Sequence, residues 1–202
     1  TTFAYNKNTI EKVSSKPTSA VEYARNPLYY YHQGDDFNSL YAYRYKETVN
    51  GYPIYLDENG NPNTTFDANG VPTIKDIKNE DALVKLGTMN PTFNGALNLQ
   101  LRYKVFELST MFVYAGGHKL RKDTYSINQE SETHRGITQR WTPTNPTDMP
   151  RMSFDYPAAL RRTANTVNTF WQLGDNHVVN ADYLKWRNVV FACYIPKDIC
   201  EK

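Results

Sequence analysis

The sequence predicts an all-β protein, a stretch of antiparallel transmembrane β-barrel wall with long loops and little helix. Three observations predict it. In residues 93–105 Phe93, Gly95, Leu97, Leu99, Leu101, Tyr103 and Val105 lie on one parity and Asn94, Ala96, Asn98, Gln100, Arg102 and Lys104 on the other. The 202 residues include 16 Tyr, 9 Phe and 3 Trp, an aromatic share of 14%, yet the mean hydropathy is only −0.68. Residues 117–182, rich in Thr, Asn, Pro and Arg, form a connection far longer than the roughly 12–15 residues at which structureless loops become uncommon. No run reaches the roughly 18 apolar residues of a membrane-spanning helix. A barrel stays open, because its lipid-facing and lumen-facing residues alternate and it carries aromatic girdles.

From the N terminus, residues 1–10 form the first candidate strand, with Phe3 and Tyr5 on one face. Residues 37–46 place Phe37, Tyr41, Tyr43 and Tyr45 on one face, and residues 51–56 follow as a further strand. Residues 57–72 contain two Asn-Gly steps followed by Pro62 and Pro72, which is turn chemistry. The acidic spacing of a calcium loop, with its distal Glu, is absent there. Residues 79–86 read as a short helical turn. In residues 93–105, Phe93, Leu97, Leu99, Leu101 and Tyr103 share one parity, and Asn94, Asn98, Gln100 and Arg102 the other. Such a period of two is a strand with one apolar face. Its length exceeds the usual 5 or 6 residues and suits a tilted membrane strand of about 9–11 with some overhang. Leu108, Phe112 and Tyr114 continue the pattern after a short turn at residues 104–107, ending at Gly116 and Gly117. Residues 183–196 begin with Leu184 and Trp186 apolar on even positions and switch to Val189, Phe191, Cys193 and Ile195 on odd ones, so a bulge is expected near Asn188. About six strands are legible in this way. A soluble antiparallel sandwich alternates similarly and stands as the alternative.

Several segments, in order, resemble the C-terminal half of the SusC/RagA family of TonB-dependent outer-membrane transporters of Bacteroidota. They are AYNKNTI at residues 4–10, NPTFNGALNLQLRYKVFEL at 90–108, RWTPTNPTDMPR at 140–151 and YLKWRNVV at 183–190, together with the FNSLYAYRYKETVNGYPIYLDENGN stretch at 37–61. The resemblance implies a barrel of about 22 strands with an N-terminal plug, closed from outside by a SusD-like lipoprotein and driven by the TonB complex. Twenty-two strands of about 10 residues exceed the whole chain, so residues 1–202 are expected to be a barrel fragment without the plug or the TonB-contacting part. The start at Thr1, with no signal-like segment, is likewise what an internal piece would show. In that frame the turn at 104–107 faces the periplasm and residues 117–182 form a long extracellular loop. Residues 183–196 run back inward and 196–202 open the next turn. Crossing parity makes residues 37–56 a hairpin standing in an external loop, or else two crossings.

The resemblance further implies an outer-membrane location in a Gram-negative bacterium and import of oligosaccharides or peptides. The lipid-facing wall would comprise Phe93, Leu97, Leu99, Leu101, Tyr103, Leu108, Phe112, Tyr114, Val189, Phe191 and Ile195. Trp141, Arg151, Tyr156, Phe170 and Trp171, with Phe154 nearby, supply rings and a guanidinium for a sugar, a peptide or the partner lipoprotein, or else form the loop's own core. His118, Lys119, Arg121 and Lys122 form either a rim for lipopolysaccharide phosphates or a solvated basic edge. A net charge of +2 argues against nucleic acid as a partner. Cys193 and Cys200 have no metal-ligand or redox spacing, and His32, His118, His134 and His177 lack partners at ligand spacing. Neither a metal nor a cofactor is expected. Asp148, Asp155 and Asp175 are scattered carboxylates of the kind any acidic loop supplies, and no catalytic motif accompanies them, so an enzyme is not expected. The alternative function is a soluble carbohydrate-binding β-sandwich. Leu97, Leu99, Leu101 and Phe112 would discriminate, since a sandwich must cover them with a second sheet.

Overall fold

A computed structural model describes residues 1–14, 19–129 and 131–195. In chain order it contains β1 (Thr2–Tyr5), α1 (Ala20–Arg25), β2 (Ser39–Tyr43), β3 (Tyr45–Val49), β4 (Tyr52–Tyr55), β5 (Thr64–Phe66), β6 (Pro72–Ile74) and β7 (Leu83–Thr88). Then follow β8 (Phe93–Tyr103), β9 (Phe106–Gly116), β10 (Lys119–Arg121), α2 (Ala164–Leu173), β11 (Val178–Asn180) and β12 (Tyr183–Cys193). The described residues are mostly strands in antiparallel sheets, none of them closed, with little helix. No helix is long and apolar enough to cross a membrane, a fact that says nothing about β-barrels. The chain divides into two compact units, residues 1–8, 90–118 and 180–202 in one and residues 9–89 and 119–179 in the other.

The first unit is a four-stranded sheet in the order β1-β8-β9-β12. β8 and β9 are joined through Lys104 and Val105, with Lys104 at φ 52° and Tyr103 opposite Phe106. The expected strand 93–105 therefore ends at Tyr103, because the turn takes the next two residues. Residues 1–10 likewise shorten to β1, after which the Asn6 N–H donates to the Thr92 carbonyl (2.8 Å). β12 follows β9 to Cys193, leaving Ile195 past its end; Pro196 and Cys200 lie outside the described residues. The expected bulge is present: Trp186 faces Phe112 and Asn188 faces Met111, so Arg187 is the extra residue.

Directly paired residues share a face, and the register gathers most of the large apolar ones on a single side, with Met111, Val113 and Val190 on the other. Leu97 faces Phe112, Leu101 faces Leu108, and Tyr103 faces Phe106. Leu184, Trp186, Val189 and Phe191 face Tyr114, Phe112, Thr110 and Leu108, and Tyr5 faces Phe93. The other side carries Asn94, Asn98, Gln100, Arg102, Glu107, Ser109 and Asn188. There, Gln100 donates to Glu107 (2.6 Å) and the Tyr194 hydroxyl does so as well (3.2 Å). Along the apolar side Leu99 is 42% exposed, Leu101 64% and Phe191 66%. Both long insertions leave and rejoin this sheet at the same end, where Tyr5, Phe93, Gly116 and Tyr183 meet, and the tight turn lies at the other.

The second unit corrects the expectation of one long loop over residues 117–182. Residues 119–179 fold together with residues 9–89 around two aromatic clusters. α2 supplies both: Phe170 and Leu173 join Ala20, Ala24, Tyr43 and Tyr55, whereas Ala164, Val167 and Trp171 join Tyr52, Tyr125, Met152 and Tyr156. β2 pairs with β7 and is buried on both faces, Leu40 and Ala42 as fully as Tyr41 and Tyr43, and Phe37 stands outside it and exposed. The helical turn expected over residues 79–86 is confined to Glu80–Ala82, capped by Asn79; the rest is β7, because pairing with β2 outweighs local preference. β3 and β4 form a hairpin shorter than the one expected over residues 37–56, because residues 39–43 of its expected first strand pair with β7 instead. The two Asn-Gly turns repeat one device. Asp57 accepts the N–H groups of Asn59 and Asn61 (2.9 and 2.8 Å), and Asp67 those of Asn69 and Val71 (2.9 and 2.8 Å).

Candidate functional site

The tip of the β3–β4 hairpin is formed by Asn50 and Gly51, both at positive φ (50° and 77°), as a two-residue turn between twisted strands requires. Arg151 grips this tip. Its backbone N–H donates to the Gly51 carbonyl and its Nε to the Asn50 carbonyl, each at 2.9 Å. The guanidinium lies 4.1 Å from the Trp141 ring centroid and 4.7 Å from that of Tyr52, a cation held between two π faces. A Cβ on Gly51 would come within 3.0 Å of both Arg151 and Trp141, so the close approach needs glycine. Tyr52 packs in turn on Tyr156, with ring centroids 5.1 Å apart. Trp141, Arg151 and Tyr156 of the expected binding set thus meet in one stack. Tyr52, which sequence reasoning did not single out, completes it.

Burial changes the role of the other rings. Tyr156, Phe170 and Trp171 are no more than 2% exposed, so they offer no free face for a sugar ring and serve as core. Their spacing contains the reason: Ala164, Val167, Phe170, Trp171 and Leu173 occupy one side of α2 and are all buried. Phe154 alone among the loop's rings named from sequence is plainly exposed.

A cavity of about 620 Å³ opens beside Trp171 in the second unit. Lys122, Asp123, Arg135 and Asp148 contribute charges, and Trp171 and His177 a ring wall. The His177 ring stands edge-on to Trp171 at 4.2 Å. Burial, with Arg121 and Lys122 nearby, lowers its pKa from 6.5 to about 4, so it is neutral at physiological pH. The Lys122 N–H donates to the His177 carbonyl (2.8 Å), continuing the β10–β11 pairing and bringing residues 122–124 beside 176–177. Three-residue strands show no periodicity, which is why this juxtaposition was not legible from sequence.

The expected basic rim does not form as a unit. Arg121 is drawn inward, donating to the carbonyls of Ala24 (2.9 Å) and Tyr41 (2.7 Å) and so tying the end of α1 to β2; burial lowers its pKa to about 10. His118 is buried, and Lys122 lines the cavity. The Asp175 carboxylate accepts the Tyr45 N–H (2.9 Å), and His134 Nδ1 accepts the Gly136 N–H (3.1 Å). His32 stacks on Tyr23 at 4.1 Å. Among the described residues, no group of three His, Cys, Asp or Glu side chains is placed to hold a metal ion.

No protein-family model matches the chain, and no curated protein matches it. Solved structures do. A chain of the RagAB peptide importer in the 'closed-closed' state superposes on 98% of this chain with a TM-score of 0.63 and 18% identity. The 'open-open' state of that importer gives 0.59 over 98% of the chain at 16% identity, and a further RagAB peptide transporter structure 0.56 over 86% at 18%. The chain spans about a fifth of the length of those chains (20%, 20% and 18%). The fold is therefore shared with a section of an importer of this kind.

Proposed function

We propose that the chain is a section of a SusC/RagA-type outer-membrane importer, with β1, β8, β9 and β12 in the barrel wall and residues 9–89 and 119–179 outside the cell. One observation carries this reading: the four strands present a face dominated by Leu, Val, Phe, Tyr and Trp, with Thr110 as its polar member, and every long insertion leaves from the same end of them. Each Leu or Phe left in water forgoes about 1.5–3 kcal/mol of burial, so a face with Leu101, Leu184, Trp186 and Phe191 all more than 60% exposed requires an apolar surrounding. Its layout suits lipid. Tyr5, Phe93 and Tyr114 stand at one end, Tyr103, Phe106 and Phe191 at the other, and Leu97, Leu99 and Val189 between. Ten residues at about 3.4 Å, tilted by about 40°, span about 26 Å, near the 25 Å apolar band of such barrels. A soluble sandwich would need a second layer on Leu97, Leu99, Leu101 and Phe112; among the described residues Leu99 and Leu101 stay exposed, and Leu97 and Phe112 are half-buried.

In this reading the external unit works with a SusD-like surface lipoprotein, energy arrives through TonB, and the cargo is a peptide or an oligosaccharide. The proposed role is transport rather than catalysis. Cysteine labelling of the full protein in intact cells, in a background without its native cysteines, tests the topology. Cysteine at Asn59 should react with a membrane-impermeant maleimide, and cysteine at Lys104 only after the outer membrane is permeabilised. Equal labelling of both in intact cells would overturn the reading.

A further inference from the structure

We propose that the cavity beside Trp171 and His177 binds a short peptide with free ends, through charges of both signs at its rim. Lys122 and Arg135 carry one sign and Asp123 and Asp148 the other, and all four line the same space of about 620 Å³. Among the described residues no ion pair within 4.0 Å joins any of them. Charges of both signs lining one cavity without pairing match a ligand that itself carries an ammonium and a carboxylate. The volume lies in the range of pockets for small ligands, roughly 300–1,000 Å³. A second cavity of about 390 Å³ shares Lys122, Asp123 and Thr124 with the first, so this segment offers side chains to both spaces.

A neutral sugar fits the site less well. Sugar recognition uses an open ring face, and Trp171 is 2% exposed with its ring met by the His177 edge. What the wall does offer is hydrogen bonding. Thr124, Thr138, Gln139 and Asn176 surround the space and suit peptide N–H and carbonyl groups. His177, neutral at physiological pH, adds no third cation to the rim.

The proposal rests on the importer reading for the source of its ligand, but binding is measurable without transport. The full protein that carries this sequence, purified in detergent, would be titrated calorimetrically with trialanine, with N-acetyl-trialanine amide and with maltotriose. Trialanine should bind, the blocked peptide about tenfold or more weakly, and maltotriose not measurably. Arg135→Gln and Asp148→Asn should each weaken trialanine about three- to tenfold, as solvated charge pairs do, while the blocked peptide is bound as before and the melting temperature holds. Equal affinity for free and blocked peptide, tighter binding of maltotriose, no binding of trialanine, or unchanged affinity in both variants would overturn the proposal. Labelling at Asn59 and Lys104 judges the importer reading separately, so the two failures are distinguishable.

Discussion

The ring of Phe93 lies over Gly116, its direct partner on the neighbouring strand, and a Cβ added to Gly116 would overlap that ring. Two positions along, Tyr114 treats its own partner Gly95 in the same way, its hydroxyl 2.5 Å from where a Cβ would stand. Each aromatic covers the bare backbone of the glycine opposite, where the sheet gives way to its insertions. Gly116→Val should therefore push Phe93 out of place and destabilise the sheet by about 1–3 kcal/mol, read as a lower denaturant midpoint of the purified protein. In a Phe93→Ala background the same valine should cost markedly less. Equal cost in both backgrounds would mean that the ring and the glycine are not coupled.

The bulge in β12 makes a prediction of opposite sign. Arg187 is the extra residue between Trp186 and Asn188, and without it Leu184, Trp186, Val189 and Phe191 would keep their partners on β9 in a regular ladder. Deleting Arg187 should thus leave folding and membrane assembly intact, with a stability change within about 1 kcal/mol. Deleting Val190, which has a partner in Ser109, moves Phe191 and Cys193 to the polar side and should abolish assembly. Protease resistance of the two variants in membranes is the measurement. Identical behaviour would remove the bulge as the cause of the phase switch.

Arg151 is better explained as a clamp than as a contact for cargo. Truncation removes the Nε hydrogen bond to Asn50 and the contact with two rings, while the backbone N–H bond to Gly51 stays, so Arg151→Ala should lower stability by about 1–3 kcal/mol. Arg151→Lys should recover little, because an ammonium has no flat face to lie between Trp141 and Tyr52. Differential scanning calorimetry of both variants decides it. Full recovery with lysine would show that charge, not planarity, holds the tip.

Where a side chain's environment is set by its near neighbours in sequence, the fold was legible. Leu97, Leu99 and Leu101 report their face through the period of two, and the change of parity after Trp186 announced the bulge at Arg187. From sequence, Phe170 and Trp171 are flat rings in the long 117–182 connection, open to binding or to a core of that segment. Their burial depends on Tyr43, Tyr55, Tyr52 and Tyr125, which come from distant segments. Leu83–Thr88 was missed for a related reason: a strand of mixed polarity is fixed by its pairing with β2, not by its own pattern. Of the site, Trp141 and Arg151 were visible as residue types, yet their meeting with Tyr52 and Asn50 is long-range. Likewise, nothing local relates Lys122 to His177.

His177 sets a pH dependence whose direction follows from its surroundings. Burial, then the charges of Arg121 and Lys122, lowers its pKa from 6.5 to about 4 in the folded chain. An unfolded chain would bind the proton near 6.5, so between these values the unfolded state takes up protons that the folded state refuses. Stability is therefore full above about pH 6.5 and declines as the pH falls towards 4. Partial exposure of the ring screens the effect, leaving a loss of about 1–2 kcal/mol across that window. His177→Asn retains hydrogen-bonding capacity without a titrating ring and should flatten the decline. Thermal melts of both proteins at about pH 7.5, 6 and 4.5 measure it. If the variant loses as much stability on acidification as the parent, the acid sensitivity lies in another group and His177 is not held neutral by the fold.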